Sequence, residues 1–97
     1  MQIAKVIGTV IATRKDEKLE GTKLLVVQSV NVDGTPKGGS VLCAIDSVGA
    51  GPEEIVLVTS GSSARLTEVT NGKPVDAVIV AIVDTIETEG IVRYNKA

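Results

Sequence analysis

Hydrophobic positions fall into short runs rich in Val, Ile and Leu, and turn-forming or charged segments separate these runs along the chain. Runs of this length and composition are typical of β-strands. In the run at 23–30 the apolar residues are consecutive, which predicts that both faces of that strand are covered. No segment has the period of an amphipathic helix. The predicted strands are 3–13, 23–30, 40–48, 55–59, 75–86 and 91–94.

The segments between the runs predict where the chain turns. Gly8 interrupts the first run and predicts a bend or a bulge, because no side chain packs there. The charged segment 14–21 predicts a solvated loop. Segment 33–39 contains Asp33-Gly34 and Pro36, which predicts a turn in which proline interrupts the ladder. The run Gly49-Ala50-Gly51-Pro52 predicts a sharp break before the fourth strand.

One helical turn is predicted between the fourth and fifth strands. Ser62 is the predicted N-cap, and Ser63, Ala64 and Arg65 form the turn. Five or six short strands, one helical turn and no repeat then account for the whole chain. We therefore predict one all-β domain over residues 1–97, folded as a small closed or nearly closed antiparallel barrel, because closure removes exposed strand edges.

Composition adds an expectation about assembly. The chain has sixteen Val and nine Ile but only one Tyr and no Phe or Trp. Aromatic rings are the usual large core-forming side chains, so a core without them is light for a monomer of this size. Burial against identical neighbours would compensate for that deficit.

Charge and hydropathy exclude two classes of partner. Twelve acidic and ten basic residues are interspersed and give a net charge of −2, so no basic surface is available for nucleic acid or anionic lipid. Tyr94 alone could stack on a base. No apolar run approaches the roughly 20 residues of a membrane span, and the start lacks a signal-peptide pattern. We predict a cytoplasmic protein that binds neither nucleic acid nor membrane.

The chain has few residues that are suited to catalysis or metal binding. The absence of His excludes Ser-His-Asp and Cys-His arrangements, and a single cysteine excludes a structural zinc site. Cys43 lies between Leu42 and Ala44, which predicts a buried thiol. An acid/base pair or a hard-cation site remains open if acidic side chains converge, and the candidates for it are Asp46, Asp76 and Asp84. We predict a non-enzymatic protein with no catalytic residue, cofactor or metal.

Two short segments suggest sites where an anion or a neighbouring subunit could bind. Gly61-Ser62-Ser63 places backbone N–H groups at the start of the helical turn, where an anion or a neighbour's carboxylate could bind; the alternative is a simple capped turn. Arg65 could form a bidentate pair across an interface, with Asp46 and Asp84 as candidate partners.

The chain contains a series of separated motifs in a fixed order, at 4–10, 23–27, 45–51, 54–57, 61–65 and 74–84. Together they resemble the bacterial microcompartment vertex proteins of the CcmL/EutN family. The first two motifs match the first and second strands of that family, and the resemblance covers nearly the whole chain. Pro52-Glu53 departs from it, since many relatives have another residue followed by Gly there.

The resemblance implies a five-stranded barrel related to the oligonucleotide-binding fold, with a short C-terminal strand. It also implies homopentamers that occupy the fivefold vertices of a polyhedral shell tiled by hexameric proteins, in the bacterial cytoplasm. An alternative is that the same pentamer is a narrow pore for small metabolites or anions, using backbone donors near 49–51. Residues expected at the subunit interface or central opening are Asp46, Gly49, Ala50, Gly51, Gly61, Ser62, Ser63, Ala64, Arg65 and Asp84.

Overall fold

Five strands close into a barrel, and a two-stranded hairpin follows the barrel along the chain. The computed structural model describes residues 1–97. Two 3-10 turns, Glu17–Leu19 and Gly61–Arg65, are the helical segments. The strands are β1 (Gln2–Val10), β2 (Leu24–Val30), β3 (Pro36–Asp46), β4 (Ile55–Ser60), β5 (Ala77–Ile82), β6 (Thr85–Thr88) and β7 (Ile91–Asn95).

The order of strands around the barrel is β1-β2-β3-β5-β4, and β4 pairs with β1 to close it. The prediction of an all-β, five-stranded closed barrel is confirmed. One pair differs from the antiparallel expectation, because β3 and β5 run parallel with Ile45 opposite Val78. A parallel pair needs a long crossover connection, which the chain supplies through β4 and the second 3-10 turn.

The first three strands differ from prediction at their ends. The register of β1 against β2 shifts between Val6 and Gly8, which confirms the predicted bulge. Strand β3 begins at Pro36, where the sequence predicted a turn, and Pro36 lies opposite Val30. Proline is tolerated there because it is the first residue of the strand. The turn itself is shorter, and Asn31 N–H donates to Thr35 O at 2.8 Å.

The predicted long strand 75–86 is wrong, because the chain divides it into β5 and β6. Val83 N–H donates to Ile55 O at 2.8 Å, and Asp84 O accepts from Lys96 N–H at 2.8 Å. Val83 therefore still bonds to β4, whereas Asp84 bonds to the residue that follows β7. The chain leaves the barrel between Val83 and Asp84. The β-branched composition continues through the break, so the sequence pattern does not show it.

Apolar side chains cover both faces of the β3–β5 pair. Alternate residues of each strand point to opposite faces, so Ala44 lies in the barrel and Ile45 packs outside it. The outer cluster contains Ile45, Ala64, Val75 and Val78. The barrel interior contains Ala4, Val6, Leu25, Val27, Ala44, Ala50, Val56, Val58, Ala77 and Ile79.

The hairpin of β6 and β7, which we call the arm (85–95), pairs with no strand of the barrel. Its turn residues Glu89 and Gly90 both have positive φ, 54° and 77°, as a two-residue type I′ turn requires. At its base, Tyr94 Cδ1 lies 3.2 Å from the position that a Cβ on Gly34 would take. The molecule is accordingly elongated, measuring 45 × 24 × 23 Å.

An ion pair between Glu54 and Lys96 ties the base of the arm to the barrel. The hydrogen bond from Lys96, aided by Gly51 N–H, lowers the pKa of Glu54 below its ordinary value of 4.5. The same bond raises the pKa of Lys96 above 10.5. The stabilisation from Glu54 is therefore complete above pH 4.5 and is lost as pH falls through its lowered pKa. That from Lys96 is complete below pH 10.5 and is lost as pH rises through its raised pKa.

We expect Lys96→Met to raise the pKa of Glu54 towards its ordinary value, because the main donor to the carboxylate is removed. Carboxyl NMR titration of Glu54 measures this pKa directly. Lys37→Met, at an exposed site on β3, is the control and should leave the titration of Glu54 unchanged. An unaltered pKa of Glu54 in Lys96→Met would contradict the role of this ion pair.

Candidate subunit interface

The loop after β3 is held by the side chain of Asp46. Its Oδ1 accepts from Val48 N–H at 3.0 Å and from Gly49 N–H at 3.1 Å. Gly49 has φ of 79°, which glycine adopts without steric cost. Asp46 and Gly49 therefore shape this loop within one subunit, and their place at a contact between subunits stays a prediction.

Ala50 and Gly51 lie where this loop returns to the barrel. The side chain of Ala50 is only 1% exposed and packs in the barrel interior, and the place of Ala50 and Gly51 at a subunit contact or opening stays a prediction. Ala50 O accepts from Lys23 Nζ at 3.4 Å, and Gly51 N–H donates to Glu54 Oε1 at 2.5 Å. The backbone donors of Val48, Gly49 and Gly51 are thus all used inside the subunit.

The structure shows how the chain accepts Glu53 at a position where many relatives have Gly. Its φ is 68°, in the left-handed region that favours glycine. Glu53 N–H donates to Val6 O at 2.9 Å, and its carboxylate pairs with Lys5 at 3.1 Å. These two contacts hold a non-glycine residue in a backbone conformation where glycine has no steric cost.

The second 3-10 turn lies over the outer cluster. Its N-cap is Ser60 and not Ser62, and no side chain caps it by a hydrogen bond. Gly61 N–H instead donates to Asp76 O at 2.8 Å. Ala64 is fully buried, whereas Ser62 and Ser63 are exposed. The predicted helical turn is confirmed, but its start and its cap were wrong.

Sequence reasoning missed Thr70, the one fully buried polar side chain. Its Oγ1 donates to Ala64 O at 2.5 Å and lies 2.6 Å from the Oγ1 of Thr67. Thr70 therefore satisfies a carbonyl at the end of the 3-10 turn and ties the following loop beneath it. No feature of the sequence distinguishes Thr70 from the other threonines, because its partners are set by the fold.

Arg65 is exposed, and its Nε donates to Val75 O at 3.2 Å. It forms no ion pair with Asp46 or Asp84 within the chain, whose two ion pairs are Lys5–Glu53 and Lys96–Glu54. Asp84 is exposed beside the base of the arm. Pairing of Arg65 with a carboxylate of a neighbouring subunit remains a prediction.

Cys43 is exposed, contrary to the prediction of a buried thiol. The strand alternation that turns Ala44 into the barrel turns Cys43 to the outer face. Partial burial there, and secondly the charge of Asp76, raise the pKa of the thiol. Cys43 lies in a depression that we call the Cys43 groove. It is lined by Leu19, Leu24, Cys43, Pro74, Val75 and Asp76.

The three carboxylates considered for catalysis or metal binding are not brought together. Asp46 ends β3, Asp76 precedes β5 and Asp84 follows β5. No group of three or more Cys, Asp or Glu side chains lies close enough to hold a metal ion. No helix in the chain has the length and apolarity of a membrane span.

Much of the apolar surface is left uncovered in a single subunit. Only 17 of the 97 residues are buried, which agrees with the light core expected from composition. Large apolar side chains at the surface occur on the barrel, on the loop after the second 3-10 turn and on the arm. They include Ile7, Ile11, Val41, Val48, Leu66, Val69, Ile91 and Val92.

Comparison with known proteins identifies relatives over nearly the full chain. The family described as "Ethanolamine utilisation protein EutN/carboxysome" matches residues 1–84. The carboxysome shell vertex protein CcmL of Nostoc sp. is 48% identical over 96 residues, covering 99% of this chain and 95% of the relative. The solved structure of Nostoc CcmL superposes with a TM-score of 0.93, covering 99% of this chain and 100% of that one.

A second relative comes from a different bacterium. The microcompartment shell vertex protein GrpN of Rhodospirillum rubrum is 50% identical over 88 residues, covering 91% of this chain and 98% of the relative. A solved structure of GrpN, described as a pentameric microcompartment shell protein, superposes with a TM-score of 0.81. That superposition covers 91% of this chain and 99% of the GrpN chain.

Proposed function

Because the chain belongs to the EutN/CcmL family, we propose that five copies form a ring that caps the fivefold vertices of a polyhedral bacterial microcompartment shell. The observation that carries this proposal is the match to GrpN, a pentameric shell protein with half of the aligned residues identical. The Nostoc vertex protein supports it, since nearly every residue of that structure has an equivalent here.

The geometry of closed shells explains why such a subunit is needed. Hexagonal tiles alone form a flat sheet, and fivefold units supply the curvature that closes it. We therefore propose that the ring lies among hexameric shell proteins, within a shell in the bacterial cytoplasm. Its role there is structural, which the names of its relatives and the absence of His from the chain both support.

The single-subunit structure supports assembly through side-chain surfaces. The barrel strands close in a ring, but β3 pairs with β5 only at Ile45 and Asp46, so closure leaves part of the β3 edge free. Exposed apolar residues would be buried in the ring, which compensates for the light core. The pore alternative gains no support, because the donors of Val48, Gly49 and Gly51 are used within the subunit.

Native mass spectrometry of the purified chain tests the ring. The subunit mass is 10.0 kDa, so a pentamer has a mass of about 50 kDa (5 × 10.0 kDa). A monomer, or a ring with another number of subunits, would overturn the proposal.

Co-expression with hexameric shell proteins, followed by electron microscopy, tests the vertex role. Closed polyhedra should need this chain, and identical shells with and without it would contradict that role.

Arg65→Ala is expected to weaken the ring much more than the isolated fold. Within the subunit it removes one partly buried hydrogen bond, worth about 1 kcal/mol. Truncating one member of a buried interfacial charge pair costs about 2–5 kcal/mol, so ring dissociation should increase by about tenfold or more. Native mass spectrometry over a dilution series measures this. Arg14→Ala, at an exposed position in the 14–21 loop, is the control. An unchanged ring in Arg65→Ala would contradict the role assigned to this residue.

A further inference from the structure

The arm carries apolar side chains that the subunit itself does not cover. Ile91 and Val92 are each 53% exposed, and β6 and β7 pair only with each other. An isolated two-stranded hairpin is marginally stable in water unless it packs against another surface. The base of the arm has such contacts through Tyr94 and Lys96, but the half that carries Ile91 and Val92 has none in the barrel sheet.

The Cys43 groove is a surface with matching properties. Leu19, Leu24, Pro74 and Val75 make it apolar, and the exposed Asp76 adds a carboxylate to its lining. The outer cluster of Ile45, Val75 and Val78 lies beneath it and fixes its shape. An apolar hairpin half could be buried there without displacing any side chain from the core.

Charge complementarity links the same two surfaces. Arg93 is exposed next to Val92, and within the subunit its side chain bonds only Thr88 Oγ1, at 2.7 Å. Asp76 forms no ion pair within the chain. Arg93 lies on the side of Ile91, because it bonds Thr88, the residue opposite Ile91 in the hairpin. An arm placed with Ile91 in the groove would therefore bring a free guanidinium to a free carboxylate, a geometry suited to bidentate hydrogen bonding.

The arm cannot reach the groove of its own subunit. The groove includes Pro74, Val75 and Asp76, which precede β5, whereas the arm leaves from the far end of β5 at Val83. Six residues of strand separate those ends by roughly 20 Å. The arm also extends away from the barrel, as the 45 Å length of the molecule requires.

We propose that the arm of each subunit lies in the Cys43 groove of the next subunit of the ring, with Ile91 on the apolar lining and Arg93, two residues further along the strand, beside Asp76. This inference rests on the proposed pentamer and names the contact that holds it together. Arm and groove are different surfaces of one chain, so the contact is head-to-tail. A head-to-tail contact generates a ring when its rotation closes.

A disulfide across the proposed contact tests it, because Cys43 is the only cysteine of the chain. Ile91→Cys, oxidised with copper phenanthroline, should give a ladder of linked subunits up to a covalent pentamer on a non-reducing denaturing gel. Reductant should convert the ladder back to the monomer. Two controls should stay unlinked: Ile91→Cys combined with Cys43→Ala, and Val32→Cys, which lies beyond the opposite end of β2.

The outcomes separate the arm contact from the ring itself. An intact pentamer by native mass spectrometry without a ladder would overturn the arm contact and leave the proposed function standing. A disulfide formed only within one chain, giving an oxidised monomer, would also overturn it. A monomer by native mass spectrometry before oxidation would overturn the proposed function.

A charge exchange tests the pairing of Arg93 with Asp76. Arg93→Asp and Asp76→Arg should each increase ring dissociation by about tenfold or more, since like charges then face each other. The double variant should restore dissociation to within about threefold of the original chain, because the pair is re-formed in reverse. A double variant that is no better than the weaker single variant would overturn this pairing.

Discussion

Ala50→Asp is expected to unfold the chain, although Ala50 lies in a glycine-flanked loop that the sequence alone places near a contact or an opening. Its side chain is 1% exposed and packs with the apolar residues of the barrel interior. An uncompensated buried charge costs about 3–5 kcal/mol. The free energy of unfolding of a domain this size is about 5–15 kcal/mol, and the light core places this chain at the low end of that range, so most or all of its stability is lost.

Val48→Asp is the matched control, since Val48 lies two residues earlier in the same loop and is 40% exposed. It should retain the folded barrel, because the charge is placed on the surface of the subunit and not in its core. Far-ultraviolet circular dichroism and urea denaturation measure both variants. A folded Ala50→Asp chain with normal urea resistance would show that Ala50 does not belong to the core.

Thr70→Val is expected to lower the free energy of unfolding by about 1–3 kcal/mol, because a buried carbonyl is left without its donor. The substitution keeps the shape of the side chain but removes the hydroxyl that bonds Ala64 O at 2.5 Å. The lost bond lies at the end of the Gly61–Arg65 turn. We therefore also expect the turn to become less ordered and the exchange of nearby amide protons to become faster.

Thr70→Ser separates the hydroxyl from the methyl group. It keeps the donor to Ala64 O and should retain most of the stability that Thr70→Val loses. Urea denaturation gives the two free energies, and hydrogen exchange reports on the turn. A larger loss in Thr70→Ser than in Thr70→Val would assign the effect to packing of the methyl group and contradict the hydrogen-bond role.

The barrel strands were largely predictable because each is a local property of the chain. Val, Ile and Leu runs of four to eight residues, bounded by Gly, Pro and charged segments, indicate strands wherever they occur. The two failures, the start of β3 at Pro36 and the division of 75–86, have a common cause. Each is decided by a pairing partner that composition does not show, Val30 for Pro36 and Ile55 for Val83.

The candidate interface was less predictable than the fold. The motif residues Asp46, Gly49 and Gly61 are explained by local turn geometry, since Asp46 bonds the next amides and the two glycines have positive φ. Their place between subunits remains a prediction. Cys43 shows the limit of neighbour-based reasoning, because apolar neighbours on a strand face the opposite side of the sheet.

Residue identities, taken in order, are enough to predict the all-β class, the bulge near Gly8, the absence of histidine-based chemistry and the family. They do not predict the parallel β3–β5 pair, the burial of Ala50 and Thr70, or the separation of the arm from the barrel, which are seen in the fold. Strand propensity can be predicted because it depends on nearby residues. Burial, strand partners and exposed surfaces depend on residues that only closure of the barrel brings together.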